Sequence, residues 1–321
     1  SGDVKNKTFD YSFQVQLPDE WDPKLAKKNI GISAFVETDR CNPAWIDKCN
    51  QMDAVIVPSN FTKNVAKRSG VLEIPIFVIP EWYNKEIDKD HDSLKIELDE
   101  TFNFLMIGTV TSTSADDDRK NLFYGLKWFC ERFRDRKDVG LIMKCSFGKG
   151  TKIDRKLTTN IIKSAISDVR TGDYPKITLI HGNMSDKEIA QLYRHDSIKC
   201  LVAPTKGEGY GLPIIEAAAS GVPIIATGWS GHTDFLEKGK YLDVDYTLKE
   251  VSEKRIDSRI FMKGSKWADV SEKSFKRKLK SLKDNYDLHK KNAIHLQSKV
   301  KTKFCKRSVM SEYNNFLNNL L

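Results

Sequence analysis

Apolar residues in this chain come in short continuous runs, separated by stretches whose apolar positions recur at helical spacing. NIGISAFV (29–36), DAVIVPS (53–59) and IPIFVIP (74–80) read as buried strands, with helices starting near Pro43 and Asn60 between them. Residues 81–100, EWYNKEIDKDHDSLKIELDE, have no apolar period and read as a connector. A second series follows: FNFLMIG (102–108), VGLIMKC (139–145), KITLIHG (176–182), IKCLVAP (198–204), VPIIATG (222–228) and KYLDV (240–244), with helices between most of them. Strands alternating with helices predict an α/β protein with parallel sheets. Residues 1–95 are expected to form one Rossmann-like domain and residues 96–304 a second, the two facing each other across a cleft. The first is short for such a unit, and a helix at about 305–321 is expected to complete it. Phe275, Leu279 and Leu282 recur at helical spacing among lysines, which predicts a basic amphipathic helix near 273–307.

Parallel sheets bind ligands outside the carboxyl ends of their strands. The loops to watch are therefore Glu37–Arg40, Pro58–Asn60, Glu81–Trp82, Gly108–Lys120, Ser146–Gly150, His181–Ser185, Pro204–Leu212 and Gly228–Phe235.

Composition narrows the setting. The 321 residues are 40% hydrophobic and 30% charged, enough for real cores under a polar surface. No apolar run approaches the roughly 20 residues needed to span a bilayer, and the opening SGDVKNKTFD has no apolar stretch, so no secretory signal is expected there. Six cysteines lie scattered without metal-site spacing and read as free thiols of a reducing, cytoplasmic compartment. The formal charge of +9 is concentrated near the end, in the basic helix. Such a run is a solvated face, or an attraction to a phosphate-bearing substrate or an anionic membrane surface touched peripherally. With no RNP-like pattern, zinc module or helix-turn-helix, nucleic acid is not an expected partner.

The chemistry concentrates in LVAPTKGEGYGLPIIEAAASG, which begins at Leu201. It reads strand, glycine loop, helix. Gly209 and Gly211 permit left-handed backbone and close approach of a ligand, and Pro213 suits the first turn of a helix. Free amides from Gly209 through Tyr210 and Gly211 to Leu212 then sit at the positive end of a helix dipole, an anion site suited to phosphate. Glu208 and Glu216 flank it, eight positions apart, and each carboxylate can accept two hydroxyls of a ribose or sugar diol. The bland alternative is that Glu216 merely complements the dipole.

EGYGLPIIEAAASGVPIIAT resembles the E-x7-E signature of retaining glycosyltransferases of the GT-B fold, especially glycosyltransferase family 4. The likeness runs from FLMIG through SGHTDF, and reaches the first half at IGISAFVETDR and the following VPS and SGV. The resemblance implies that Glu208 approaches the transferred sugar, that Glu216 holds the ribose, and that the amides from Gly209 to Leu212 hold the distal phosphate. It implies further that Lys120, with Arg119 beside it, neutralises the diphosphate next to Gly108. The arginine that often follows this strand glycine is missing, because Thr109 stands there, and VTSTSADDD is inserted after it. His181 to Met184, Asn183 and Met184 above all, fall where the family holds the nucleotide base. Thr205, and Glu37 and Thr38 from the first half, are expected to border the substrates; His232 is a candidate base.

Asp116, Asp117 and Asp118 could bind Mn²⁺ or Mg²⁺, but they precede a helix and are expected to act as caps, so neither a metal nor another cofactor is expected. The function implied is transfer of a hexose from a nucleotide-diphosphate sugar to an acceptor hydroxyl on a glycan, glycolipid or glycoprotein. GDP-mannose is the first expectation and a UDP-sugar the second. The alternatives are an epimerase or phosphorylase-like relative, and a basic nucleic-acid- or membrane-binding protein on an inactive enzyme fold.

Overall fold

The computed structural model of the chain describes residues 9–320, apart from 99 and 149. It holds two parallel sheets and a small antiparallel hairpin. The first sheet contains β1 (Phe9–Val15), β2 (Ala26–Ile32), β3 (Ala54–Val57) and β4 (Ile76–Val78), in that spatial order. Its helices α1 (Pro43–Cys49) and α2 (Asn60–Ser69) start where sequence chemistry places them. Asn42 accepts from the Ala44 amide, and Ser59 accepts from the Thr62 amide, each satisfying a donor that the first helical turn leaves open.

The second sheet runs through β5 (Asn103–Thr109), α3 (Leu122–Arg132), β6 (Gly140–Ser146), α4 (Lys152–Val169), β7 (Lys176–Ile180), α5 (Asp186–Tyr193), β8 (Ile198–Ala203), α6 (Leu212–Ala219), β9 (Ile224–Thr227), α7 (Thr233–Leu236) and β10 (Leu242–Val244). Its strand order is β10-β9-β8-β5-β6-β7. From β5 the chain winds outward to β6 and β7, then returns to β8 on the other side. The reversal leaves a crevice between the loops after β5 and β8, which is where such sheets take ligands.

Beyond β10 come the hairpin strands β11 (Tyr246–Glu250) and β12 (Lys266–Val270), then α8 (Glu272–Asp284), α9 (Tyr286–Lys303) and α10 (Lys306–Leu320). The hairpin belongs to neither sheet and touches both halves. Val251, Phe261 and Trp267 join the first-half core with Trp45 and Ile46. The Asp39 amide donates to the Lys266 carbonyl (2.8 Å), and the Ala268 amide donates to the Lys206 carbonyl (2.9 Å). At the far side of the first sheet, Val309 and Phe316 of α10 pack with Ile30, Ala54, Ile56 and Ile79, and Phe316 meets Phe77 edge-on at 4.9 Å.

Three expectations need correcting. β1 was not expected, although FDYSFQV alternates apolar and polar residues as an edge strand should. β2 ends at Ile32, because Phe35 adopts φ 54°, which no strand accommodates. The basic helix is two helices broken at Asn285, whose φ of −128° is not helical. In α8 the buried stripe is Phe275, Leu279 and Leu282, and the lysines between them are paired: Lys276 with Glu131 and Glu272, Lys278 with Asp243, Lys280 with Asp284. No helix among the described residues is long and apolar enough to cross a membrane.

Candidate functional site

The loop after β5 is shaped by its own acidic residues. Asp118 accepts from the Thr111 amide (3.1 Å) and hydroxyl (2.8 Å) through Oδ1, and from the Leu122 amide (2.7 Å) through Oδ2. It thereby fastens the inserted stretch to the start of α3. Asp117 accepts from the Ser252 hydroxyl (2.5 Å), and Asp116 from the Tyr124 hydroxyl (2.8 Å). All three carboxylates hold the loop together. No group of three or more His, Cys, Asp or Glu side chains placed to hold a metal ion occurs among the described residues.

Folded this way, the loop turns Arg119 and Lys120 toward the loop after β8. Lys120 Nζ lies 2.6 Å from Glu208 Oε1. Arg119 Nη1 lies 3.5 Å from Glu208 Oε2 and donates to the Gly207 carbonyl at 2.6 Å, while Nη2 reaches Glu37 Oε1 at 3.2 Å. Burial alone would push the Glu208 carboxyl up, but Lys120 and Arg119 outweigh it and hold the group at about 2. Glu208 is therefore a buried carboxylate held ionised between two cations.

The loop that carries Glu208 is braced from both halves. Its amide donates to Ser230 Oγ (2.9 Å), and its carbonyl accepts from the Gly231 amide (2.8 Å). Thr205 Oγ1 donates to the Gly207 carbonyl (3.0 Å). Across the cleft, the hydroxyl of Ser59 donates to the Gly209 carbonyl at 2.9 Å. Two glycines are required here by crowding. A Cβ on Gly207 would stand 2.1 Å from the Glu37 carbonyl oxygen, and one on Gly209 would stand 2.8 Å from Ala34 Cβ. Only Gly211, at φ 100°, uses the left-handed freedom expected of both Gly209 and Gly211. Gly211 caps α6, and Pro213 stands in its first turn. The amides of Gly209, Tyr210, Gly211 and Leu212 donate no hydrogen bond among the described residues. They are available to an anion at the helix start.

Glu216 lies one turn further, half-buried, on the side of α6 that faces the start of α5. Burial first, and the Asp186 carboxylate second, push its carboxyl up to about 7. Met184 packs against the core there and Asn183 is exposed beside Gly150; Asp186, at the start of α5, is near enough to act on Glu216. Gly108 sits against the Lys120 stem, and Thr109 is exposed at the mouth.

Three candidates stand apart. The Thr38 hydroxyl is fully buried and donates to the Arg40 carbonyl (2.8 Å). The Tyr210 ring is buried on Phe235 with its hydroxyl on the Glu81 carbonyl (2.7 Å), leaving only its backbone toward the crevice. His232 is fully buried, with Nε2 2.7 Å from the Thr227 carbonyl, and burial lowers its pKa. It supports the loop and is not placed as a free base. Sequence reading missed Ser59 and Ser230. Both lie in loops marked for attention, but nothing in the residue type of Ser230 betrays its φ of 91° or its bond to Glu208.

Residues 174–291 match the profile of the family described as glycosyl transferases group 1. A probable sucrose-phosphate synthase of Thermosipho melanesiensis is 27% identical over 206 residues, 63% of this chain and 43% of that protein. A sucrose synthase of Denitrovibrio acetiphilus is 28% identical over 134 residues, 39% of this chain and 16% of that protein. The chain thus spans less than half the length of these relatives. Among solved structures, a sucrose-phosphate synthase from Thermosynechococcus elongatus superposes with a TM-score of 0.66 at 14% identity, over 97% of this chain and 73% of that one. Anabaena HepE in complex with UDP-glucose superposes with a TM-score of 0.59 at 11% identity, over 92% of this chain and 73% of that one. The fold is GT-B.

Proposed function

We propose that the protein is a retaining glycosyltransferase that moves a hexose from a nucleotide-diphosphate sugar to an acceptor hydroxyl, without a metal. The observation that carries this reading is that four amides donating no hydrogen bond among the described residues, those of 209–212, lie on the loop whose Glu208 is held by Lys120 and Arg119, with Glu216 one turn into the helix that follows. In this reading the diphosphate lies on the amides of residues 209–212 and on Lys120, and the ribose lies on Glu216 with the base near Asn183 and Met184. The hexose lies toward Glu208.

As the anomeric C–O bond breaks, negative charge grows on the leaving diphosphate. The cations and the α6 start meet that charge where it appears and need no reorganisation to do so. Positive charge develops on the sugar at the same time, and the ionised Glu208 carboxylate stabilises it. Arg119, held by Glu37 as well as by Glu208, ties the phosphate site to the first half of the molecule.

A UDP-sugar ranks ahead of GDP-mannose as donor, because a structural neighbour holds UDP-glucose; the acceptor is a glycan, glycolipid or glycoprotein hydroxyl. Calorimetry with UDP, GDP, UDP-glucose and GDP-mannose tests the reading. Binding of one diphosphate at micromolar affinity, lost in Lys120→Ala, is the expected result. If no nucleoside diphosphate binds, the proposal falls.

A further inference from the structure

Behind the Arg119–Lys120 segment, away from the crevice, lies a cavity of about 310 Å³ enclosed between α3, Lys206 and the β11–β12 hairpin. Its volume sits at the lower end of the ~300–1,000 Å³ typical of small-molecule sites. Tyr124 and Trp128 of α3 form one wall, their rings nearly parallel at 5.5 Å between centroids, and Trp267 of β12 forms another. Asn121 lines the floor, 1% exposed, and its Oδ1 has no hydrogen-bond partner among the described residues. An unsatisfied buried amide oxygen costs free energy, and a ligand hydroxyl would remove that cost. The rim carries both signs of charge, with Asp269 and Glu250 beside Lys249, while Lys206 is buried within.

Few ligand chemistries fit all of this. A lipid chain would desolvate the rim charges, and a bare phosphate would meet the carboxylates. A sugar ring has apolar C–H faces for the aromatic walls, and hydroxyls that donate to carboxylates and Asn121 while accepting from ammonium groups. We propose that this cavity is a second carbohydrate site, binding one monosaccharide unit apart from the donor crevice. The site is coupled to that crevice by covalent continuity. Lys206 reaches into the cavity over the Trp267 ring, at 5.3 Å, and donates to the Asp116 carbonyl, while Glu208, two residues on, holds Lys120. Asp116 and Asn121 touch the cavity at either end of the segment that bears Arg119 and Lys120.

The proposal does not depend on glycosyl transfer, and its test uses no donor. The whole protein is labelled with ¹⁵N at the indoles of its six tryptophans. It is then titrated separately with glucose, mannose, galactose, N-acetylglucosamine, fructose and, as a nucleoside control, uridine. Trp267→Phe identifies the Trp267 signal. The expected result is a saturable shift of the Trp128 and Trp267 signals by at least one monosaccharide in the millimolar range, with Trp21, Trp45 and Trp82 unmoved. The double variant Lys249→Ala, Asp269→Ala, two exposed changes, should weaken that binding at least tenfold while leaving Tm unchanged. The proposal is overturned if no sugar moves the two signals. It is equally overturned if uridine moves them and the sugars do not, or if the folded double variant binds as tightly as the parent.

Discussion

The Lys120 ammonium rests 2.6 Å from the Glu208 carboxylate, so the free protein pairs the two groups that a bound donor would use separately. A diphosphate must compete with Glu208 for Lys120 and Arg119. Glu208→Gln removes the competitor while keeping the shape. Affinity for bare UDP or GDP should therefore hold or rise, by up to about tenfold, or roughly 1.4 kcal/mol. Turnover of the sugar nucleotide should fall, because the anion beside the sugar is gone. Calorimetry and donor hydrolysis read the two effects, and a tenfold loss of diphosphate affinity would sink this division of labour.

Glu216 gives a pH signature. Its carboxyl stands at about 7 in the free protein, whereas diol hydroxyls donate to the ionised form and pull the value down on binding. Nucleotide affinity should thus rise as pH climbs from about 6 to 8, with a proton released, and Glu216→Gln should abolish the slope. Glu216→Ala should weaken the diphosphate and the intact donor alike, by roughly 1.5–3 kcal/mol or about ten- to a hundredfold. Stability runs the other way. A carboxyl raised by folding favours the native state at low pH, and that advantage is lost as pH rises through 7. Glu216→Gln should therefore raise Tm more at pH 8 than at pH 5; a pH-independent difference would show that the group is not buried as described.

Asp118 caps α3 and ties down Thr111. Asp118→Ala should cost about 1–2 kcal/mol of stability by urea unfolding, and loosen Lys120. EDTA should leave donor turnover unchanged, because Asp116, Asp117 and Asp118 are each engaged within the loop. Activity lost in EDTA and restored by Mn²⁺ would reassign these aspartates to a metal.

Gly207→Ala tests the seam between the halves. The new methyl carbon would meet the backbone carbonyl of Glu37 at 2.1 Å, and a main-chain atom cannot swing aside. Overpacking of this kind costs about 1–3 kcal/mol, and it should spread the cleft and weaken the Arg119–Glu37 pair. A urea midpoint unchanged from the parent would mean that the seam opens freely in solution.

Much of this was legible in the sequence because local chemistry and global fold agree there. Apolar runs such as AVIV of β3, buried at every position, can only be interior strands. The stretch from Leu201 to Ser220 announces strand, cradle and helix by residue type alone. What was not legible is long-range. Gly207 and Gly209 look like turn residues until Ala34 and Glu37 arrive opposite them. Tyr210 looks like a substrate contact until the Glu81 carbonyl, 129 positions earlier, takes its hydroxyl. The β11–β12 hairpin was missed because TLKE carries little apolar signal, its strand being exposed at every position.

The dependence of the first sheet on α10 sets an order of events during synthesis. Chains emerge from the ribosome amino end first, at about 5–20 residues per second, and domains usually close in that order. Here the sheet made first keeps Ile30, Ile56 and Ile79 without their cover until Val309 and Phe316 have been added. Everything from β5 to β10 can pack meanwhile. The half of the molecule that is translated earliest is thus finished last, and a stop codon between β10 and α10 would release a complete second sheet attached to a sticky, uncovered first one.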